Sequence, residues 1–148
     1  RTLGRWTSHG LFDTRHPTAI EIHNVGSEVF QPDKESLDLC FTSPPYFNTE
    51  QYSTEASQSY IKFPTKEAWL THFLLETMAR CEYGLKRGGF LVVNISNVKL
   101  YKTLTDDFMD AMRLKLPTLS QQPSLDYQLS SSTKGGYKTE PVFVFRKI

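Results

Sequence analysis

Four successive residues, Ser43-Pro44-Pro45-Tyr46, are the best suited to chemistry in this 148-residue sequence. Each proline lacks a backbone N–H and has a fixed φ angle, so a strand cannot continue through the pair. Ser43 precedes a proline and is therefore held in an extended conformation. The four residues predict a stiff corner that presents a hydroxyl group, free carbonyl oxygens and an aromatic ring. The alternative is an ordinary proline-rich turn without a role in chemistry.

The elements around this corner predict where it lies. An apolar run from Leu37 to Phe41 leads into it and predicts a mostly buried strand over residues 37–42. After it, Thr65 is a good helix N-cap, and a helical stripe of apolar residues continues to Gly84. A second buried strand is predicted at residues 90–96. Because ligands bind at the carboxyl ends of strands in open α/β sheets, the corner is placed where a site is expected.

The remaining segments complete the predicted element order. An amphipathic helix is expected over 104–116, and an antiparallel hairpin is expected from strands at 125–129 and 141–146. The less regular segments are an irregular lead-in or basic arm at 1–18, a β-like segment at 18–23, a short helix or loop at 27–33, a tight turn at 85–89 and a linker at 118–124.

Composition excludes several classes of protein. The formal net charge is +1, so affinity for nucleic acid would come from a local patch. No apolar segment is long enough to span a bilayer and no signal peptide is apparent, which predicts a cytoplasmic protein without a membrane partner. Cys40 and Cys81 are expected to be buried free thiols in a reducing compartment. No metal site is predicted, because the histidines lack cysteine partners at suitable spacing.

Three stretches of the chain resemble the S-adenosylmethionine-dependent amino-methyltransferases, which methylate exocyclic amines of DNA bases. Ser43-Pro44-Pro45-Tyr46 fits the motif IV pattern of that family, (Asp/Asn/Ser)-Pro-Pro-(Tyr/Phe/Trp). With Thr42 before it and Phe47 after it, the stretch is similar to the Thr-Ser-Pro-Pro-Tyr variant, which is common in N4-cytosine enzymes and also occurs in N6-adenine enzymes. "LKRGGFLVVNISN" and "TEPVFVFRK" resemble two later elements, the first of which occurs in most Rossmann-like methyltransferases.

The resemblance covers roughly residues 20–148 and implies the fold. It predicts a partial Rossmann-like methyltransferase sheet of the α/β class, ending in an antiparallel β-hairpin, within a single domain over residues 1–148. The implied substrate is DNA, with N4 of cytosine preferred over N6 of adenine, in a restriction-modification, phage or orphan system.

The resemblance also implies catalytic roles for the corner. The lone pair of an exocyclic amine is delocalised into the base, and two acceptors around the nitrogen favour its pyramidal form. Ser43 Oγ and the Pro44 carbonyl are the implied acceptors, and Pro45 keeps the corner rigid and preorganised. Tyr46 would offer its ring as a face on which an extruded base stacks.

Residues around the corner are implied to hold substrate and cofactor. The polar, aromatic loop over residues 47–63 would cover the substrate pocket, with Phe47, Tyr52 and Tyr60 as contacts. The alternative is a surface loop whose aromatic rings pack locally. Thr42 and Asn94 are candidates for the S-adenosylmethionine side, although Asn94, Ser96 and Asn97 could instead cap the strand end.

One departure from the family limits the prediction. The Phe-x-Gly-x-Gly cofactor motif is absent, since no Gly-x-Gly follows any predicted strand. A cofactor-binding segment or a partner chain would then be required. The alternatives to a DNA methyltransferase are a catalytically inactive nucleic-acid-binding or scaffold subunit that retains the fold, and a methylase of RNA or of a protein amine.

Overall fold

The computed structural model describes the backbone of residues 2–7, 19–129 and 138–148, and the side chains of residues 19–125 and 140–148. Seven strands occur in these ranges: β1 (Thr2–Thr7), β2 (Ala19–His23), β3 (Leu37–Thr42), β4 (Leu85–Asn94), β5 (Leu119–Gln121), β6 (Leu125–Leu129) and β7 (Lys138–Lys147). The α-helices are α1 (Ser59–Lys62), α2 (Lys66–Ala68), α3 (Leu75–Gly84) and α4 (Leu104–Lys115). None of the described helices is long and apolar enough to cross a membrane.

Strands β3 to β7 form one five-stranded mixed sheet. β3 and β4 are parallel, while β7 pairs antiparallel with β4 on one side and with β5 and β6 on the other. α2 and α3 provide the crossover that parallel neighbours require. The predicted α/β sheet and its closing antiparallel hairpin, formed by β6 and β7, are confirmed.

The helix between β3 and β4 begins and ends where the sequence predicted. Thr65 caps it, because Thr65 Oγ1 accepts a hydrogen bond of 3.1 Å from the Ala68 N–H. A segment with π-helical hydrogen bonding, Trp69–Leu74, then joins α2 to α3. At the other end, a Cβ on Gly84 would lie 2.6 Å from Pro32 Cγ, so only glycine fits there.

One face of the sheet is covered by the helices. Cys40, Leu91, Val93 and Phe145 all point to this side and are buried. Phe108 of α4 packs edge-on against Phe145, with the ring centroids 6.2 Å apart. These residues belong to one hydrophobic core together with α3 and α4.

The opposite face of the sheet is open at β3, contrary to the expectation of a mostly buried strand. Leu39 is 58% exposed and Phe41 is 68% exposed, and Cys40 is the only buried residue of β3. The reason is positional. β3 lies at the edge of the sheet, and α3 and α4 cover only the side on which Cys40 points.

Four other boundaries differ from the sequence predictions. Residues 2–7 form β1, which pairs with β2, so this part of the lead-in is not irregular, while the rest of 1–18 lies outside the described residues. The predicted turn at 85–89 belongs to β4, where Gly88 with a φ of +83° lies in an irregularity of the ladder. β5 lies in the predicted linker, and β4 ends at Asn94, before residue 96.

Candidate active site

Three distant segments of the chain meet at the carboxyl ends of β3 and β4. Ser43 to Tyr46 follows β3, and Asn94 is the last residue of β4. β7 runs antiparallel to β4, and Val142 pairs with Asn94. The beginning of β7, with Glu140 and Pro141, therefore reaches the same edge as the two strand ends.

The amide of Asn94 links the three segments. Its Nδ2 donates a hydrogen bond of 3.2 Å to the carbonyl oxygen of Pro141. A carbonyl can only accept, so this bond fixes which end of the amide faces β7. Oδ1 then faces the corner, where it accepts from Tyr46 OH at 3.1 Å and from Ser43 Oγ at a longer 3.4 Å.

The hydroxyl of Ser43 is exposed and is oriented by this contact. A hydroxyl has one hydrogen and two lone pairs. The hydrogen can be donated to Asn94 Oδ1 or to Tyr46, with which Ser43 also bonds, and in either case the lone pairs of Ser43 Oγ remain available to a ligand. Pro44 is buried and Pro45 half-buried, and no described residue donates to the Pro44 carbonyl oxygen. The corner thus carries two unused acceptors on a rigid backbone.

Tyr46 lies beneath the corner, in the hydrophobic core. Its hydroxyl is also 3.3 Å from Glu140 Oε2 and 3.4 Å from the Asn94 carbonyl oxygen. Burial, reinforced by the negative charge of Glu140 and opposed by a hydrogen bond with Ser43, raises the pKa of Tyr46 to about 12. The phenol is therefore neutral at ordinary pH.

The ring of Tyr46 has little free surface in this conformation. Only 8% of the residue is exposed, so most of the face that was expected to stack on a base packs against protein. The hydroxyl of Tyr46 instead joins the corner to Asn94 of β4 and Glu140 of β7. Stacking on a base stays a prediction.

Phe47 anchors the corner from the other side. Its ring is buried and packs edge-on against Trp69 and Tyr101, with centroid distances of 6.0 and 6.1 Å. Its φ of +44° lies in the left-handed region, which is uncommon for an aromatic residue. This burial leaves the ring little surface for the substrate contact that the sequence predicted.

The two tyrosines of the 47–63 loop bond within the loop. Tyr52 is exposed and donates to Glu50 Oε2 at 2.7 Å, and the carboxylate raises the pKa of Tyr52. Tyr60 donates to the Ser53 carbonyl oxygen at 2.8 Å. The loop contains a 3₁₀ turn, Phe47–Thr49, and α1. The described bonds of both tyrosines are local, and contact with substrate stays a prediction for both.

The remaining candidates lie at strand ends. Thr42 is half-buried at the end of β3 and pairs with Val93. Asn97 Oδ1 accepts from the Thr105 backbone N–H at 2.8 Å, so Asn97 bonds to the start of α4 and does not cap a strand end with this bond. Glu140 was missed as a site residue. The sequence feature that could have pointed to Glu140 is its position just before an apolar run. Sequence alone does not show that the strand formed by this run begins beside Tyr46.

The described residues do not fit a methyl-donor cofactor by themselves. Its binding in this class of fold needs glycines in the turn after a strand, where backbone approaches the ligand closely. No described glycine follows β3 or β4. Gly26 comes soon after β2, but a Cβ there would lie 2.4 Å from Glu28 Oε2, so a carboxylate of this chain occupies that space.

Comparison with known proteins places the fold. No family model matches the chain, and no curated protein matches it. One solved structure, an inferred DNA modification methylase from Thermus thermophilus complexed with S-adenosyl-L-methionine, has a TM-score of 0.52 at 18% identity. The match covers 83% of this chain and 54% of that protein.

A second solved structure is an S-adenosylmethionine-dependent methyltransferase from Methanosarcina mazei. It matches with a TM-score of 0.48 at 9% identity, over 84% of this chain and 65% of that one. The chain spans about half to two thirds of the length of these two proteins. It has the α/β sheet of a Rossmann-like methyltransferase, and the match to the Thermus protein extends over about half of that larger structure.

Proposed function

We propose that this chain is the substrate-binding part of an S-adenosylmethionine-dependent DNA methyltransferase that acts on the exocyclic amine of a base. N4 of cytosine is the preferred target, and N6 of adenine the second. The observation that carries the proposal is the oriented hydroxyl of Ser43. Asn94 Oδ1 or Tyr46 takes up its hydrogen, so Oγ faces solvent with unused lone pairs beside the unused Pro44 carbonyl.

Two acceptors at one corner match the two hydrogens of an exocyclic amine. One N–H would donate to Ser43 Oγ and the other to the Pro44 carbonyl oxygen. Holding both hydrogens out of the plane of the base weakens conjugation of the nitrogen lone pair with the ring. The chain's own contribution to the reaction is to bind and orient the amine, with preorganised acceptors that need not move during the reaction.

The substrate must reach this corner as an unpaired base. Enzymes that modify bases either extrude the target from the duplex or act on single strands, at a cost of a few kcal/mol. The exposed ring of Tyr52 is available in the loop after the corner. The Thermus thermophilus neighbour supports both the substrate class and the cofactor, since it is an inferred DNA modification methylase complexed with S-adenosyl-L-methionine.

Binding to short single-stranded oligonucleotides tests the proposal without the cofactor. Ser43→Ala removes one acceptor, and we expect about fivefold weaker binding of a cytosine-containing oligonucleotide, measured by fluorescence anisotropy, since one hydrogen bond contributes about 1 kcal/mol. Uracil in place of cytosine should weaken binding to the unmodified chain similarly, because uracil lacks the exocyclic amine.

The matched control is Ser57→Ala, which removes the hydroxyl of a serine in the neighbouring loop and should leave binding unchanged. Equal binding of cytosine and uracil by the unmodified chain would contradict the proposed substrate. Base analysis of DNA methylated by the assembled enzyme would then choose between cytosine and adenine.

A second candidate function is favoured by the missing glycine cradle. The chain would be a nucleic-acid-binding or scaffold subunit that keeps the fold without catalysis. In that case S-adenosylmethionine would not bind even when the rest of a methyltransferase is supplied, and Ser43→Ala would bind DNA as well as the unmodified chain does.

A further inference from the structure

The two cysteines of the chain lie on different elements and meet in the folded structure. Cys40 is the buried residue of β3, and Cys81 is half-buried on α3, 41 positions later. The Cys40 thiol donates a weak hydrogen bond of 3.9 Å to the Cys81 carbonyl oxygen. The Cys81 thiol in turn donates a hydrogen bond to the Cys40 sulfur. Both cysteines are free, so the two sulfur atoms are neighbours without a covalent bond.

A groove reaches both cysteines. It has a volume of about 310 Å³ and lies between β3 and α3, and Cys40 and Cys81 are both among its lining residues. Apolar side chains such as Phe30 and Leu37 form other parts of its wall, and Arg80 is the one charged residue among its described lining residues. One water molecule takes up about 30 Å³ in the liquid, so the groove can admit a small uncharged reagent.

The contact makes the two thiols chemically unequal. The hydrogen bond from Cys81 stabilises the thiolate of Cys40 and lowers the pKa of Cys40, although burial acts in the opposite direction. The same hydrogen bond, together with burial and the charge of Cys40, raises the pKa of Cys81. Since the thiolate is the nucleophilic form of cysteine, Cys40 is the sulfur that reacts first. Cys81 lies beside it and can react with the product.

We propose that Cys40 and Cys81 are a thiol modification site, which a peroxide oxidises to a disulfide between β3 and α3. The Cys40 thiolate attacks hydrogen peroxide, so that an S–O bond forms, the O–O bond breaks and hydroxide leaves. The Cys81 sulfur then attacks this sulfenic acid, so that the S–S bond forms and the S–O bond breaks. The leaving hydroxide takes the Cys81 proton. In sum, two thiols give up two electrons and two protons, and one peroxide becomes two water molecules.

The modification site is separate from the candidate active site. Neither cysteine takes part in the described hydrogen bonds of Ser43, Tyr46 and Asn94. The proposal therefore stands whether or not the chain acts on a base. The disulfide would close a loop of about 40 residues that contains the diproline corner, and closing such a loop restricts the unfolded chain.

Treatment of the folded 148-residue chain with hydrogen peroxide tests the proposal. Mass spectrometry should show that each chain loses two hydrogen atoms and both titratable thiols, and remains a monomer. A proteolytic peptide with Cys40 should be joined to one with Cys81, and dithiothreitol should separate them. Urea denaturation should show a higher midpoint for the oxidised chain, because its unfolded state is restricted.

Two single variants test the roles of the two sulfur atoms. Cys81→Ser keeps a hydrogen-bond donor beside Cys40 but removes the second thiol, so a sulfenic acid should accumulate on Cys40 and be trapped by dimedone. In Cys40→Ser, we expect oxidation of Cys81 to be at least about tenfold slower, because less of it is thiolate. If either variant does not fold, dimedone added with the peroxide to the unmodified chain should label Cys40 and not Cys81.

The matched control keeps two thiols and moves the second one across the sheet. It combines Cys81→Ser with Leu125→Cys, at an exposed position on β6. β4 and β7 lie between β3 and β6, so the two cysteines are at least about 14 Å apart, and a disulfide needs Cα atoms within about 7 Å. No intramolecular disulfide should form in this control.

Four results would overturn the proposal. They are free thiols that persist after peroxide treatment of the folded chain, disulfide-linked dimers in place of the internal bond, an equal or lower urea midpoint after oxidation, and first reaction at Cys81. An internal disulfide in the Leu125→Cys control would also count against it, because the bond would then not depend on the contact between β3 and α3.

Discussion

Cys40 and Phe41 are neighbours in one strand, yet they face different surroundings. Cys40 points to the layer of α3 and α4 and is buried, whereas Phe41 points to the other side and is largely exposed. The same contrast continues into β4, where Leu91 is fully buried and Phe90 is partly exposed. Both faces have the composition of a core, and only one of them is covered by the described residues.

The contrast distinguishes the two faces of the sheet in the described part of the chain. On the helix side, the described structure is a filled hydrophobic core with paired aromatic rings. At the carboxyl edge, the amide of Asn94 bonds to the corner and to β7, so these segments are also held together. On the open side, Leu39, Phe41 and Phe90 remain exposed among the described residues.

The largest expected difference is between two phenylalanines on opposite faces. Phe145→Ala should lower the free energy of unfolding by about 3–5 kcal/mol, because Phe145 is fully packed against Phe108. Phe41→Ala should change the free energy of unfolding by less than about 0.5 kcal/mol, because an exposed ring makes few packing contacts that the substitution could remove. Urea denaturation of both variants measures the difference. A cost for Phe41→Ala close to that of Phe145→Ala would show that the open face is covered in solution.

A smaller effect on stability is expected from a substitution at the carboxyl edge of the sheet, where β4 ends at Asn94. Asn94→Ala removes bonds to Tyr46, Ser43 and Pro141 and leaves the buried Tyr46 hydroxyl with fewer partners. We expect a loss of about 1–3 kcal/mol in the free energy of unfolding, together with weaker cytosine binding. Asn97→Ala is the control, since Asn97 bonds only to the start of α4. It should weaken stability modestly and leave cytosine binding unchanged.

An effect smaller than that of Asn94→Ala at neutral pH, and a pH-dependent one, is expected for Tyr46→Phe. The free energy of unfolding of the variant should be about 1 kcal/mol lower at neutral pH, because one hydrogen-bonding hydroxyl is removed. The pKa of Tyr46 is raised from 10.0 to about 12, so the folded state holds this proton more tightly than the unfolded state. The resulting stabilisation is complete below pH 10 and is lost as the pH rises towards 12.

Denaturation across this range should therefore show the difference between the two proteins narrowing at alkaline pH. Burial also raises the pKa of Tyr101, but Tyr101 is present in both proteins and its contribution cancels in the comparison. A difference that is the same at about pH 8 and about pH 12 would argue against the Tyr46 environment described above.

Local signals were enough to predict the central elements. The N-cap at Thr65, the end at Gly84 and the closing hairpin follow from residues within one or two turns of each boundary. The burial of β3 could not be predicted in the same way. An apolar run such as Leu37–Phe41 shows what a strand is able to bury, and the position of that strand at an edge depends on the rest of the sheet.

Sequence analysis identified together only those candidate site residues that are adjacent in the sequence. Ser43 to Tyr46 is visible as a motif, but the amide of Asn94 and the carboxylate of Glu140 reach it through strand pairing across the sheet. Phe47 and Tyr46 were expected to face substrate because they are aromatic and follow the prolines. Packing against Trp69 and Tyr101 instead takes the ring of Phe47 into the interior, a result that no local pattern indicates.

The antiparallel course of β7 has a consequence for biosynthesis. Glu140 follows Tyr46 by 94 positions, and the carbonyl that orients Asn94 belongs to the next residue, Pro141. A ribosome must therefore complete the stretch that includes residues 138–147 before the serine hydroxyl can be held in its accepting orientation. A nascent polypeptide that already contains the diproline corner would have no competent pocket, and premature termination upstream of Glu140 would leave the motif intact but without its support.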